Sequence, residues 1–140
     1  MQSKEKNNII FVRLYPNEDV NEELINVCKK HNVDTAVVIS GIGQLNNAEL
    51  GYFKGKKDYS LKKYNEPLEI LSLTGNICKD KEEYIIHLHA VLGDDKKNAL
   101  GGHFASGKIS ITGEIVIIKT EHKAERILNK KTGLRDLFLE

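Results

Sequence analysis

The sequence predicts an α+β domain in which a mixed, mostly antiparallel and curved sheet packs on one main helix, with a short helix near the C-terminus. An early segment repeats its apolar residues at the period of a helix, whereas most of the chain after residue 45 has the pattern of short strands separated by polar breaks. The length of 140 residues suits one hydrophobic core. We therefore expect a flexible N-terminus over residues 1–8 and a single domain over residues 9–140.

The first part of the chain predicts two strands and the main helix. Apolar residues at successive positions predict a strand over 9–15, which ends at Pro16. The helix follows, because apolar residues then recur every three or four positions, acidic residues occupy the first turns and lysines the last one. A β-branched strand over 35–40 comes next, and we expect the glycines of 41–43 to form a turn that ends it.

The rest of the chain predicts further strands and one more helix. The strands are expected at about 45–54, 58–64, 67–77, 84–92, 102–106 and 109–119. The segments between them are rich in the glycine, asparagine, aspartate and lysine residues that favour breaks between strands. A short second helix is expected around 121–129, before the pair Thr132 and Gly133.

Composition and charge exclude several classes of protein. Lys and Arg total 21 against 20 Asp and Glu, so the formal charge of +1 lacks the basic excess of a dedicated nucleic-acid-binding protein. The longest apolar runs are four residues, too short to cross a bilayer, and the polar N-terminus lacks the apolar core of a secretory signal. Cys28 and Cys78 are far apart and have no CxxC partner. We therefore expect a cytoplasmic protein with reduced thiols and no membrane partner.

The segment 84–104 contains three histidines in a pattern that suggests a metal site. His87 and His89 are two positions apart on a predicted strand, so both side chains project from the same face. Two imidazoles at this separation can bind one divalent ion, and His103, which follows the pair Gly101–Gly102, can supply a third nitrogen. These residues predict a site for zinc (Zn) or another divalent transition metal, with coordination positions left for water or a substrate.

Alternatives to this site remain open from the residues alone. An HxH pair is also common on the half-exposed polar face of a strand that binds nothing. Glu69 and Glu114 are candidate carboxylates for the same pocket, since each lies on a predicted strand among apolar neighbours and a buried carboxylate needs a partner. Either glutamate can instead be a simple exposed residue of its strand.

Six segments of the sequence carry a resemblance to a known family. They are SGIGQLNNAELGYF (40–53), EPLEILSLTGNI (66–77), HLHAVLGDD (87–95), GGHF (101–104), ITGEIVII (111–118) and KKTGLRDL (130–137). In this order they resemble the plants-and-prokaryotes-conserved (PPC) domain family, in its prokaryotic stand-alone type. The resemblance implies an α+β fold, a homotrimer and a metal site on His87, His89 and His103. The fold is also similar to that of acetolactate decarboxylase, a zinc enzyme that uses an HxH pair and a later histidine.

The family also carries a DNA-binding label, which this sequence supports only weakly. In plant members an AT-hook built around Arg-Gly-Arg-Pro contacts DNA, and this chain contains no such segment. Two basic clusters remain, and the C-terminal one is interleaved with acidic residues, which is typical of a solvated helix face. The clusters comprise Lys54, Lys56, Lys57, Lys62 and Lys63, and Lys119, Lys123, Arg126, Lys130, Lys131 and Arg135. We expect any binding to DNA to be weak and independent of sequence.

Two functional hypotheses of different class follow. The first is a homotrimeric PPC protein, DNA-binding or regulatory by its family resemblance, whose three-histidine site holds a divalent metal. The second is a metal-dependent enzyme, lyase-like or hydrolase-like, that acts on a small oxygenated molecule such as a hydroxy- or keto-acid. A basic surface with salt-dependent affinity for DNA would favour the first. A pocket that combines the histidines with an acid or an arginine would favour the second.

Overall fold

The chain folds into an antiparallel β structure, which a computed structural model describes for residues 1–56 and 58–139. The strands are β1 Gln2–Lys6, β2 Ile9–Leu14, β3 Thr35–Gly55, β4 Asp58–Tyr64, β5 Leu68–Asp80, β6 Glu83–Gly93, β7 Ala99–Thr120, β8 Ala124–Leu128 and β9 Arg135–Leu139. The described residues contain a single α-helix, α1, Val20–Lys30. The predicted α+β fold, with a main helix and a C-terminal helix on a mixed sheet, is therefore wrong, because strands make up most of the chain and every described pairing is antiparallel.

One sheet contains seven of the strands and closes partly on itself. Its order is β1-β2-β7-β6-β5-β3-β4, and β3 also pairs with β7, so that β7, β6, β5 and β3 form a closed ring. Strands β8 and β9 form a separate two-stranded sheet. No helix in the described part of the chain has the length and apolar character needed to cross a membrane.

Helix α1 covers one face of this sheet. The Asp19 carboxylate caps the helix, since it accepts hydrogen bonds from the backbone N–H groups of Asn21 and Glu22 at 3.0 and 3.1 Å. The buried residues of the helix are Val20, Leu24, Val27 and Cys28. They join one cluster of buried aliphatic side chains from β2, β3, β5, β6 and β7. The hydrophobic core thus lies between α1 and the inner face of the sheet, as the amphipathic pattern of the helix predicts.

The helix expected around 121–129 is a β-hairpin. In β8 and β9, Ala124 lies opposite Leu139, and the turn between the strands is held by Asn129, whose side-chain oxygen accepts from the backbone N–H of Lys131 at 2.9 Å. Gly133 in the same turn has φ of +80°, a conformation that favours glycine. Turn chemistry and strand pairing therefore outweigh the helical propensity of this short segment.

Two long strands continue through positions where the sequence suggested breaks. β3 passes through the glycines of 41–43, and β7 spans two of the predicted strands. Gly43 has φ of +138°, and a Cβ atom there would lie 2.1 Å from the carbonyl oxygen of Thr112. The register of β3 against β7 shifts between Gly43 and Leu45. The expected turn at 41–43 is therefore a bulged strand in which glycine permits close approach of the neighbouring strand.

The N-terminal residues form a strand at the edge of the sheet. β1 pairs with β2, from Gln2 opposite Arg13 to Lys6 opposite Ile9. The connecting Asn7 and Asn8 have φ of 52° and 63°, the two positive values that a tight hairpin turn requires.

Candidate metal centre

The candidate site lies on the face of the sheet opposite the core. Residues paired directly across five neighbouring strands form one row on this outer face. The row is Ile9, Ile118, Val37, Asn76 and His87. Leu88, the next residue of β6, points to the core and is 1% exposed. The alternation of a strand therefore separates the histidines from the core, as the sequence predicted.

The structure brings the three predicted histidines together. His87 and His89 project from β6, and His103 on β7 pairs directly with His89. Their ring centroids lie 5.2, 5.3 and 5.7 Å apart, and one nitrogen of each ring lies within 4.8 Å of the other two. In tetrahedral zinc sites, ligand nitrogens are about 3.4 Å apart, from Zn–N bonds of about 2.0–2.1 Å. Small side-chain rotations would therefore complete a three-nitrogen site.

Glycines allow the strands to approach closely around the histidines. A Cβ atom on Gly102 would lie 2.7 Å from the carbonyl oxygen of Gly51, and one on Gly101 would lie 2.9 Å from that of Ala90. The glycine pair before His103 in β7 thus permits the close approach of the neighbouring strands. Gly75 has φ of +153°, and a Cβ there would lie only 2.0 Å from the carbonyl oxygen of His87.

The electrostatics of the site favour neutral imidazoles. Burial lowers the pKa of His87, and the charge of Arg126 and the neighbouring rings of His103 and His89 lower this pKa further. Burial and the proximity of His89 also lower the pKa of His103. A neutral imidazole is the form that binds a metal ion, so the surroundings prepare these side chains for coordination.

The histidines open onto a cavity of about 890 Å³. Its walls include Tyr59, whose ring lies edge-on to His103 with centroids 5.9 Å apart, and Arg126 from β8. Arg126 is only 8% exposed and donates a short hydrogen bond from Nη2 to Oδ1 of Asn76. Its Nη2 atom also lies 3.5 Å from Nδ1 of His87. The cavity therefore combines three histidines with a buried arginine.

The two predicted carboxylates lie away from this cavity. Oε1 of Glu69 accepts a hydrogen bond of 2.7 Å from Nε2 of Gln44, and Glu69 lines a different depression beside Asp94. Glu114 lies opposite Arg13 in the β2–β7 ladder and lines a groove near β1. Within one chain, neither glutamate reaches the histidines.

Sequence reasoning missed Arg126 as a residue of the site. It grouped Arg126 with a solvated basic helix, whereas the C-terminal hairpin places the side chain in the cavity. The hairpin signal was present in Asn129 and Gly133, but nothing local shows where a hairpin will dock. Asn76 was also missed, because its place beside His87 follows from the register of the β5–β6 ladder.

Comparison with known proteins identifies the family of this fold. The family model of the Plants and Prokaryotes Conserved (PCC) domain, also written PPC, matches residues 1–121. The chain belongs to this family. The family membership predicted from the sequence is thus confirmed, and the matched residues contain all three histidines but not Arg126.

Two solved structures resemble this chain over nearly its whole length. A candidate DNA-binding protein from Bacteroides thetaiotaomicron is 28% identical, with a TM-score of 0.91 and coverage of 98% of this chain and 96% of that one. A metal-containing protein from Archaeoglobus fulgidus is 29% identical, with a TM-score of 0.84 and coverage of 96% and 95%.

A much longer relative contains a similar segment. The bifunctional protein GlmU of Synechococcus sp. (strain JA-3-3Ab) is 33% identical over 131 residues, which are 92% of this chain and 20% of GlmU. The chain therefore spans about a fifth of the length of the curated relatives that it matches.

Proposed function

We propose that this PPC protein binds one divalent metal ion, zinc in the first instance, through His87, His89 and His103. The observation that carries the proposal is the convergence of three imidazole nitrogens within 4.8 Å of one another. The lowered pKa values of His87 and His103 support it, because they keep these rings neutral. The similar protein from Archaeoglobus fulgidus is described as metal-containing, which agrees with this assignment.

The cavity beside the histidines supports a small-molecule role for the site. Three protein ligands leave at least one coordination position open, and a bound divalent ion would act there as a Lewis acid that polarises an oxygen atom. The volume of about 890 Å³ lies within the range of small-molecule sites. The pocket joins histidines to an arginine, and this combination favours a metal-dependent enzyme acting on a small oxygenated molecule.

Zinc content of matched histidine variants tests the metal site. His89→Ala should abolish stoichiometric zinc while the protein stays folded, since His89 is an exposed residue on the outer face. His31→Ala is the control, because His31 lies at the end of α1 with its ring beside Glu5 and Ser3. Equal zinc content in the two variants, measured by elemental analysis of untagged protein, would rule the proposed ligand set out.

We also propose that the protein is a homotrimer, assembled through the outer face of the sheet. Ile9, Phe11, Val37 and Ile42 on this face are 41%, 65%, 41% and 51% exposed in the single chain. A contiguous apolar surface of this kind usually marks an interface. The PPC family resemblance makes threefold symmetry the natural arrangement, and closed symmetry would cover the face in every subunit.

The mass in solution tests the trimer. Light scattering coupled to size exclusion at micromolar concentration should report about three times the chain mass of 15.8 kDa. A monodisperse peak at the mass of one chain would refute the assembly.

DNA binding is a second candidate function. The observation in its favour is the similar protein from Bacteroides thetaiotaomicron, which is a candidate DNA-binding protein. In the first basic cluster, Lys54 lies on β3, Lys62 and Lys63 lie on β4, and Lys56 lies in the turn between these strands. Lys57 is outside the described residues. With a net charge of +1, we expect sequence-independent affinity near 10⁻⁴ to 10⁻⁶ M, approximately, at physiological salt. Nanomolar binding to one duplex, with strong preference over a scrambled one, would overturn this expectation.

A further inference from the structure

Arg126 is a buried cation that has no carboxylate partner within the described residues. Among residues 1–56 and 58–139, no Asp or Glu oxygen lies within 4.0 Å of its guanidinium nitrogens. Its partners are Oδ1 of Asn76, the carbonyl oxygen of Arg135 at 3.3 Å and Nδ1 of His87 at 3.5 Å. The Nε atom is buried and has no hydrogen-bond partner in the part of the chain that the structure describes. At most three of the five N–H groups are therefore used.

None of these neighbours supplies a negative charge. Asn76 is neutral, and His87 is neutral or positive. The nearby Cys78 stays a thiol, because burial raises its pKa although the charge of Arg126 opposes this. A guanidinium does not lose its proton in a protein, so burial leaves the charge in place. Burying such a charge without a counter-ion is costly.

Arg126 and the histidines line the same cavity, so an anion bound there can supply the counter-charge. We propose that this cavity binds a small molecule bearing a carboxylate, and that Arg126 is the residue that binds the carboxylate. The inference rests on the proposed metal-dependent function and names its class of ligand. Because Nη2 of Arg126 lies 3.5 Å from His87, a carboxylate held there sits beside the three-histidine site.

The lining favours a single carboxylate over a phosphate group. A guanidinium forms paired hydrogen bonds with a carboxylate, which carries one negative charge. A phosphate dianion calls for several cationic or backbone donors, yet the described lining contains no lysine. The other arginine of the cavity, Arg135, is 54% exposed in its side chain and lies 3.5 Å from Asp80. Tyr59 and Leu134 add aromatic and aliphatic surface that suits a short carbon skeleton. Asp136 also lines the cavity, and its Oδ2 accepts a hydrogen bond of 2.7 Å from Nδ2 of Asn129.

This anchor depends on the C-terminal hairpin of the chain. Arg126 lies on β8, outside residues 1–121 that the family model matches. The hydrogen bond from Nη1 to the carbonyl oxygen of Arg135 on β9 ties the side chain to the second strand of the hairpin. The hairpin thus presents the guanidinium to the cavity, while β6 and β7 present the histidines.

The test uses glycolate as the probe and glycolamide, its neutral analogue of similar shape, as the matched probe control. Each is titrated into zinc-treated and zinc-free full-length protein by NMR, and zinc content is measured on the same samples. We expect glycolate to bind at least about tenfold more tightly than glycolamide. Arg126→Gln, which keeps hydrogen-bonding groups but not the charge, should weaken glycolate binding about tenfold or more. Arg135→Gln is the matched variant and should change it less than about threefold.

The outcomes separate this inference from the proposed metal site. If the protein retains zinc but binds glycolate and glycolamide equally tightly, the role of Arg126 is overturned and the metal site stands. The same holds if Arg126→Gln leaves the affinity for glycolate unchanged. Absence of zinc with glycolate binding that still requires Arg126 would overturn the metal site and support the carboxylate anchor. Should Arg126→Gln fail to fold, the comparison of the two probes on the zinc-free unaltered protein decides the question, because zinc itself prefers a carboxylate to a neutral amide.

Discussion

The two faces of the seven-stranded sheet differ in the side chains that they carry. The inner face, under α1, presents aliphatic side chains such as Leu73, Leu88 and Ile117, all at most 1% exposed. The outer face presents His87 and His89 from β6, and it also carries exposed apolar residues. On β6 the two faces alternate residue by residue. Alternate residues of β6 therefore contribute to the core and to the histidine site, and a substitution can change one without the other.

The largest expected effect on folding comes from the inner face. Leu88→Ala removes a fully buried side chain at the centre of the core and should lower the free energy of unfolding by about 2–5 kcal/mol. Zinc content per folded chain should stay unchanged, because the side chain points away from the histidines. Urea denaturation and elemental analysis of the same preparation measure both. Loss of zinc from folded Leu88→Ala would show that the two faces are not independent.

A smaller effect on stability is expected at Gly75 of β5, which packs against the backbone of β6. Gly75→Ala would place a Cβ atom 2.0 Å from the carbonyl oxygen of His87, at φ of +153°. The resulting strain should cost about 1–3 kcal/mol and weaken zinc binding as β6 shifts. Gly55→Ala is the control, because Gly55 has φ of +157° but a Cβ there meets nothing within 4 Å. Equal losses of stability in the two variants would mean that backbone conformation, and not the contact with β6, sets the cost.

The smallest effect on the fold of one chain is expected at the exposed part of the outer face. Phe11→Glu alters a side chain that is 65% exposed and should leave the far-UV circular dichroism unchanged. The same change should reduce the mass in solution from three chains to one, since a charge would be buried in the proposed interface. A trimeric mass for Phe11→Glu would move the interface elsewhere.

The sequence predicts the alternation within strands and the family, but not the features that depend on how distant segments pack together. The alternation around His87 and Leu88 was readable because strand side chains alternate strictly, and the family segments identify the PPC domain. The C-terminal hairpin was not predicted, because 121–129 has helical composition and its pairing is set by β9. Arg126 was missed for that reason, since its place in the cavity depends on where the hairpin docks. The distance of Glu69 and Glu114 from the histidines likewise depends on strand register and bulges, which composition does not show.

The most direct test of the account is the zinc stoichiometry of the unaltered protein. Untagged chain, incubated with zinc and desalted, should retain about one ion per chain, because three imidazoles converge on the outer face with one nitrogen of each within 4.8 Å of the others. Retention of less than about a tenth of an ion per chain would contradict the three-histidine metal site.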